Sequence, residues 1–171
     1  MIEFWELLDA QKERTGLRHK RGDAIPQGFY HLVVHIWLMC PEGYFLMSQR
    51  QKNRPYALKW ERTGGSVLYG ETSLEGARRE VLEELGIDLK NYEAHFIKSQ
   101  KRERYHDFYD SWMFIIDNNT LFKLQASEVM QARWFSLNEL DELKKENRIV
   151  KSSRYYKEVY DYFLKVKGKN D

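Results

Sequence analysis

Three glutamates, Glu80, Glu83 and Glu84, stand three and four residues apart in a stretch with helical periodicity. Such spacings place side chains on one helix face, about one turn from each other. Carboxylates held this close raise each other's pKa unless a cation neutralises them. Carboxylates with water are the natural ligands of magnesium, which also takes phosphate oxygens from a substrate. The chemistry expected of the triplet is metal-assisted work on a phosphorylated compound. An acidic triplet by itself is more often a solvated helix face, so the neighbouring residues decide. Gly76, one turn before Glu80, leaves room for another backbone segment or a ligand. The Gly64-Gly65 pair permits unusual dihedrals ahead of the helix, and a carbonyl there could turn inward as a further oxygen ligand. Arg79 can pair with Glu71 and fix the loop between the glycines and the helix.

The element that carries these acids reads as a helix from Thr72 to about Leu85. Thr72 with Glu75 forms a capping box. Leu74, Ala77, Val81 and Leu85 form the apolar stripe, and Gly86 stops the helix. Upstream, residues 4–8 read as a short strand or helix, and residues 9–23 as polar and turn-like. Tyr30 to Met39 is a strand rich in Val, Ile and aromatics, and Tyr44 to Arg50 pairs with it across the Pro41-Glu42-Gly43 turn as a hairpin. A polar loop spans residues 51–58, and residues 60–63 form a short extended piece. Further strands are expected at 92–99, 108–116 and 132–135, a charged helix at 137–146, and an amphipathic terminal helix within about 153–166. That helix aligns Tyr155, Val159, Tyr162, Phe163 and Val166.

The rest of the composition bounds the reading. The chain has 171 residues, 42% of them hydrophobic, and no Gly/Ser linker, so it reads as a single domain over 1–171. The net charge of +2 comes from 28 basic and 26 acidic residues, a balance that argues against a nucleic-acid binder. One cysteine, Cys40, excludes an internal disulfide and a Cys-based zinc site. The apolar run from Leu32 to Cys40 is half the length of a membrane helix, and the N-terminus lacks the pattern of a secretory signal. A cytoplasmic protein without membrane or nucleic-acid partners is expected.

Taken together, Gly65, Glu71, Arg79-Glu80-Val81-Leu82-Glu83-Glu84-Leu85 and Gly86-Ile87 resemble the box of the Nudix hydrolase family. The family pattern is Gly, five residues, Glu, seven residues, then Arg-Glu-aliphatic-any-Glu-Glu-any-Gly-aliphatic, and each fixed position is met. Chance agreement of the fixed residues is on the order of one in 10⁹ positions. The resemblance implies an α+β fold, an α/β/α sandwich around a mixed β-sheet, with the box (65–87) as a loop–helix–loop. It implies a pyrophosphohydrolase that cleaves a diphosphate linkage in a nucleoside diphosphate joined to another moiety. Its cofactor would be magnesium, with manganese as the alternative. It implies metal ligation by Glu83, Glu84, Glu80 and the carbonyl of Gly64. Gly65, Glu71, Arg79 and Gly86 would be structural. Glu128, ahead of Trp134-Phe135, matches a later family glutamate that acts as a ligand or general base. Homodimers are frequent in the family, so a second copy is a candidate partner beside the small-molecule diphosphate substrate.

The flanks, Pro26 to Trp37 and Glu128-Val129-Met130, resemble the branch that includes isopentenyl-diphosphate isomerase. This chain has Thr63 where the isomerases carry a catalytic Cys, and Gly65 where they carry a ligand His. His31 aligns with another isomerase ligand, yet it and His35 read more simply as strand histidines. An isomerase and a nucleotide-sensing domain without turnover remain the alternative readings. For substrate contacts, Arg50, Arg54 and Arg62 are candidates for phosphate, and Tyr69 and His106 for the remainder. Tyr56, Trp60 and Phe108 are candidate stacking rings.

Overall fold

A computed structural model describes residues 2–169. Met1, Asn170 and Asp171, which the single-domain expectation includes, lie outside the described residues. Nine strands and three α-helices follow in order: β1 (Phe4–Leu8), β2 (Arg14–Lys20), β3 (His31–Met39), β4 (Phe45–Arg50), β5 (Trp60–Glu61), β6 (Thr63–Ser66), α1 (Ser73–Leu85), β7 (His95–Arg102), β8 (Asp107–Ile115), β9 (Val129–Phe135), α2 (Leu137–Lys145) and α3 (Tyr156–Lys167).

Seven strands form a mixed sheet whose main path runs β5-β4-β3-β8-β7, with β9 on β4 and β6 on β3. The β3–β8 pair is parallel over its full length, and the other pairs are antiparallel. The strands β3 and β4 pair only at Leu38–Leu46 and Met39–Phe45, beside the turn. Beyond that they diverge, and the segment from Trp60 to Ser66 fills the gap. Its first part pairs with Ser48 and Gln49 of β4, and its second with Val33 to Ile36 of β3. This splay places Glu61, Arg62, Gly64 and Gly65 at one open end of the sheet.

Alternation along β3 sends its side chains to two layers. Val34, Ile36 and Leu38 face α1 and pack with Val67, Ala77, Val81, Leu85, Ile87, Leu89 and Phe114. Trp37 and Met39 face α2 and α3 and pack with Phe45, Trp60, Phe135, Leu140, Tyr156, Val159 and Phe163. The result is an α/β/α sandwich. The terminal helix therefore seals its own domain through Tyr156, Val159 and Phe163. No helix among the described residues is long and apolar enough to cross a membrane.

Several expectations need correction. Residues 14–20 are not turn-like: β2 pairs with β1 as a separate two-stranded sheet. Most of β2 is exposed, so no apolar alternation marks it. Backbone pairing and the Arg18 guanidinium, 4.0 Å from the Phe4 ring centre, hold it in place. The same pairing settles residues 4–8 as a strand. The strand expected at 92–99 begins at His95 and continues to Arg102, because Gln100, Lys101 and Arg102 pair with β8 despite their polarity. The strand expected at 132–135 begins at Val129, paired with β4.

Candidate active site

The helix α1 is built to hold its acids at a fixed height. The Thr72 hydroxyl accepts from the Glu75 amide, and the Glu75 carboxylate accepts from the Thr72 amide. These two bonds satisfy N-terminal donors that would otherwise be orphaned. At the other end Gly86 adopts φ 67° and its amide donates to the Leu82 carbonyl. Gly76 is close-packed against the chain rather than open to a ligand, since a Cβ there would stand 3.0 Å from Val67 Cγ2.

Arg79 organises the loop before the helix. Its Nε donates to Glu71 Oε1 at 2.7 Å and its Nη2 to the Ser66 carbonyl at 2.8 Å. Its Nη1 donates to Glu80 Oε1 at 2.9 Å and to Glu83 Oε2 at 3.0 Å. Burial would lower the guanidinium pKa, but the carboxylates of Glu71 and Glu80 outweigh it and raise it. Glu71 completes the brace by accepting from the Leu68 amide at 2.8 Å.

The acids separate into two roles by environment. Glu83 is exposed beside Arg79. The Glu80 carboxylate lies directly over Gly65, where a Cβ would overlap it. This is the physical demand for glycine at that position. Burial pushes the Glu80 carboxyl up, against the pull of Arg79. Glu84 makes no ion pair among the described residues. Burial pushes its carboxyl well above the usual range, and Glu61, Glu80 and Glu128 push it further. So Glu84 feels the charges of three other acids, two of them from outside α1. Glu61 pairs with Arg50, and burial raises its pKa as well. Glu128 accepts from Arg54 Nη2 at 2.6 Å. Among the described residues no three acids or histidines stand close enough to form a finished metal cage. The donor set nevertheless fits a hard cation: several carboxylates whose charges repel one another, with Glu84 relieved by no arginine among the described residues.

A cleft of about 270 Å³ opens beside this set. Arg50, Tyr56, Glu61, Arg62, Gly64, Gly65 and Arg102 are among its lining residues. Arg62 is 6% exposed, and burial lowers its pKa against the opposing pull of Tyr155 and Glu61. Its Nε has no hydrogen-bond partner.

The structure does not bring every proposed contact residue here. Tyr69, in the turn between β6 and α1, packs against β1 and β2, its amide donating to the Phe4 carbonyl at 2.8 Å and its hydroxyl to the Gly16 carbonyl at 3.3 Å. His106 is exposed at a tight turn before β8, near Tyr30. Neither lines the cleft. Trp60 packs edge-on against Phe135 in the core, and Phe108 against Tyr30. His31 stacks on Trp5 at 4.1 Å, and His35 donates or accepts at the Tyr155 hydroxyl at 3.0 Å, as strand histidines held by neighbours. Cys40 is buried at the end of β3, outside the cleft lining. Glu61 escaped the reading of the sequence. Its one signal was an acid–base pair, Glu61-Arg62, inside an extended piece running into Gly64-Gly65.

The layers and the cleft beside the acids define a class: a three-layer sandwich with a braced acidic helix at the open end of a mixed sheet. Residues 29–156 match the family described as the NUDIX domain. The chain is 35% identical to an uncharacterized Nudix hydrolase of Listeria monocytogenes over 155 residues, 87% of this chain and 89% of that one. It is 34% identical to a second such protein, from Listeria innocua, with the same coverage. A crystal structure of a Deinococcus radiodurans protein superposes with a TM-score of 0.74 at 17% identity, covering 94% of this chain and 98% of that one. The chain belongs to the Nudix hydrolase family. Members of that family act on small molecules with the help of divalent cations.

Proposed function

We propose that this protein is a magnesium-dependent pyrophosphohydrolase, with manganese as a substitute, acting on a nucleoside diphosphate joined to another moiety. The observation that carries the reading is Glu84, a half-buried carboxylate without an ion-pair partner among the described residues, whose ionised form the charges of Glu61, Glu80 and Glu128 oppose. Such a group is stable as an anion only beside a cation. Glu80, Glu83, Glu84 and the Gly64 carbonyl would hold the metal. When bound, the cation neutralises diphosphate oxygens and acidifies the attacking water. Arg50, Arg54 and Arg62 offer donors to the phosphate oxygens. Gly65, Glu71, Arg79 and Gly86 keep the helix and its loop in register. A carboxylate of the set, with Glu128 among them, takes the proton from the water as it attacks phosphorus in line. The buried Cys40 thiol suits a reducing, cytoplasmic setting.

The test is phosphate and nucleotide release from nucleoside triphosphates, nucleotide sugars, dinucleoside polyphosphates and isoprenoid diphosphates, with magnesium, beside Glu83→Gln. Turnover of one class, lost in the variant, is the expected result. No turnover across the panel would overturn the hydrolase and favour a sensing domain.

A further inference from the structure

A second cavity, of about 340 Å³, adjoins the cleft on the α3 side of the sheet. The two share His35, Arg102 and Ser152 as a common wall. The second is lined by Gln100, Tyr109, Lys151, Arg154 and Tyr155 in addition, so no carboxylate lines it. Arg102 is already neutralised, since its Nε and Nη2 donate to the two oxygens of Asp107 at 2.7 and 2.6 Å. Lys151 and Arg154 are not. Among the described residues neither forms a salt bridge, and Arg154 donates only to the Asn147 side chain at 2.6 Å and the Ile149 carbonyl at 3.4 Å. The Arg154 Nε is buried without a partner, as is that of Arg62 at the floor of the first cleft.

Cations left without a counter-ion beside a cavity attract anions from outside the protein. The far wall supplies flat surface: Tyr109 and His35 stack at 4.3 Å. Tyr155 is locked in place by bonds from Trp37 Nε1 at 3.1 Å and to Ser111 Oγ at 2.9 Å. A diphosphate running from the acids to Arg62 would leave the rest of its molecule in this second cavity.

We propose that the second cavity is a specificity subsite, in which Lys151 and Arg154 bind a phosphate group remote from the scissile diphosphate. This rests on the hydrolase reading above. The favoured substrate is then a phosphorylated nucleotide derivative rather than one ending in a neutral sugar or an isoprenoid chain.

The experiment compares matched compounds that differ by one remote phosphate: ADP-ribose against ADP-ribose 2′-phosphate, and NAD against NADP. The phosphorylated member of each pair should show about tenfold higher kcat/KM, through KM, as expected of one charge-assisted contact. Lys151→Ala with Arg154→Ala should bring the ratio close to one. Lys151→Glu, at an exposed position, should do the same without disturbing the bonds Arg154 makes to Asn147 and Ile149. Lys165→Ala, on the far helix, should leave the ratio as it was. A wild-type ratio near one, or a preference that survives both variants, would overturn the subsite while the hydrolase stands. Calorimetric binding of the same pairs to Glu83→Gln protein gives the ratio independently of turnover. Should neither pair be hydrolysed, the hydrolase reading is decided by the wider panel above. The binding ratio then decides the subsite alone: tenfold and Lys151-dependent supports it, and equal affinities overturn it.

Discussion

At the box end of the cleft nearly every acid has an arginine partner: Glu71, Glu80 and Glu83 share Arg79, Glu61 has Arg50, and Glu128 has Arg54. Glu84 is the exception. At the α3 end the imbalance is reversed, with Arg154 and Lys151 lacking carboxylate partners among the described residues. Internal pairs brace side chains in position, and the unpaired charges are those that nothing within the protein compensates. The contrast suggests a division of the cleft between a cation at one end and anions at the other.

The sharpest way to break this contrast is at Glu84. Glu84→Gln should cut turnover by about 10²–10³, the usual scale for losing one electrostatic group at a reacting centre. The same change should raise the melting temperature of the metal-free protein, because it removes a half-buried carboxyl whose ionised form Glu61, Glu80 and Glu128 oppose. Phosphate-release kinetics and a metal-free thermal melt check the two halves. A metal-free melting temperature that falls would show that Glu84 is braced like its neighbours.

Arg79→Ala attacks the paired side of the contrast. It leaves Glu71 and Glu80 facing each other without their cation, at a site where Arg79 is 20% exposed. A loss of roughly 2–3 kcal/mol is expected, below the full value for a buried pair because water screens part of it. Urea denaturation measures it.

A smaller effect concerns His35, on the wall between the two cavities. Burial first, and then the charges of Arg62, Arg102 and Lys98, hold its pKa well below 6.5. The unfolded chain therefore takes up this proton before the folded one as pH falls. Stability is full above pH 6.5 and declines as pH drops below it, by at most about 1.4 kcal/mol for each pH unit. Denaturation midpoints at about pH 7.5 and about pH 5.5 should diverge less in His35→Gln than in the wild type. Equal divergence would assign the acid sensitivity elsewhere.

The least effect is expected at the cap. Thr72→Ala removes the hydroxyl that accepts from the Glu75 amide and should cost about 1 kcal/mol. Its turnover should stay near the wild-type rate, since the brace at Arg79 is untouched.

The helix α1 was legible because each of its features is local. The cap, the apolar stripe, the stop at Gly86 and the Arg79–Glu71 pair all lie within 23 consecutive residues, 65 to 87. The hairpin of β3 and β4 was legible for the same reason, from alternation and a short turn. The strand β2 was not, because exposed polar residues pair through the backbone and carry no hydrophobic period.

The sequence alone determined the family resemblance, the acidic helix and the expectation of a diphosphate chemistry, since these depend on residue type and short spacing. Only the tertiary structure decided which charges meet. The charge of Glu61 acts on Glu84 because β3 and β4 splay, and Lys151 and Arg154 line a cavity with His35 because α3 docks its own sheet. Contacts across such sequence distances follow from how the layers pack, and no local pattern records them.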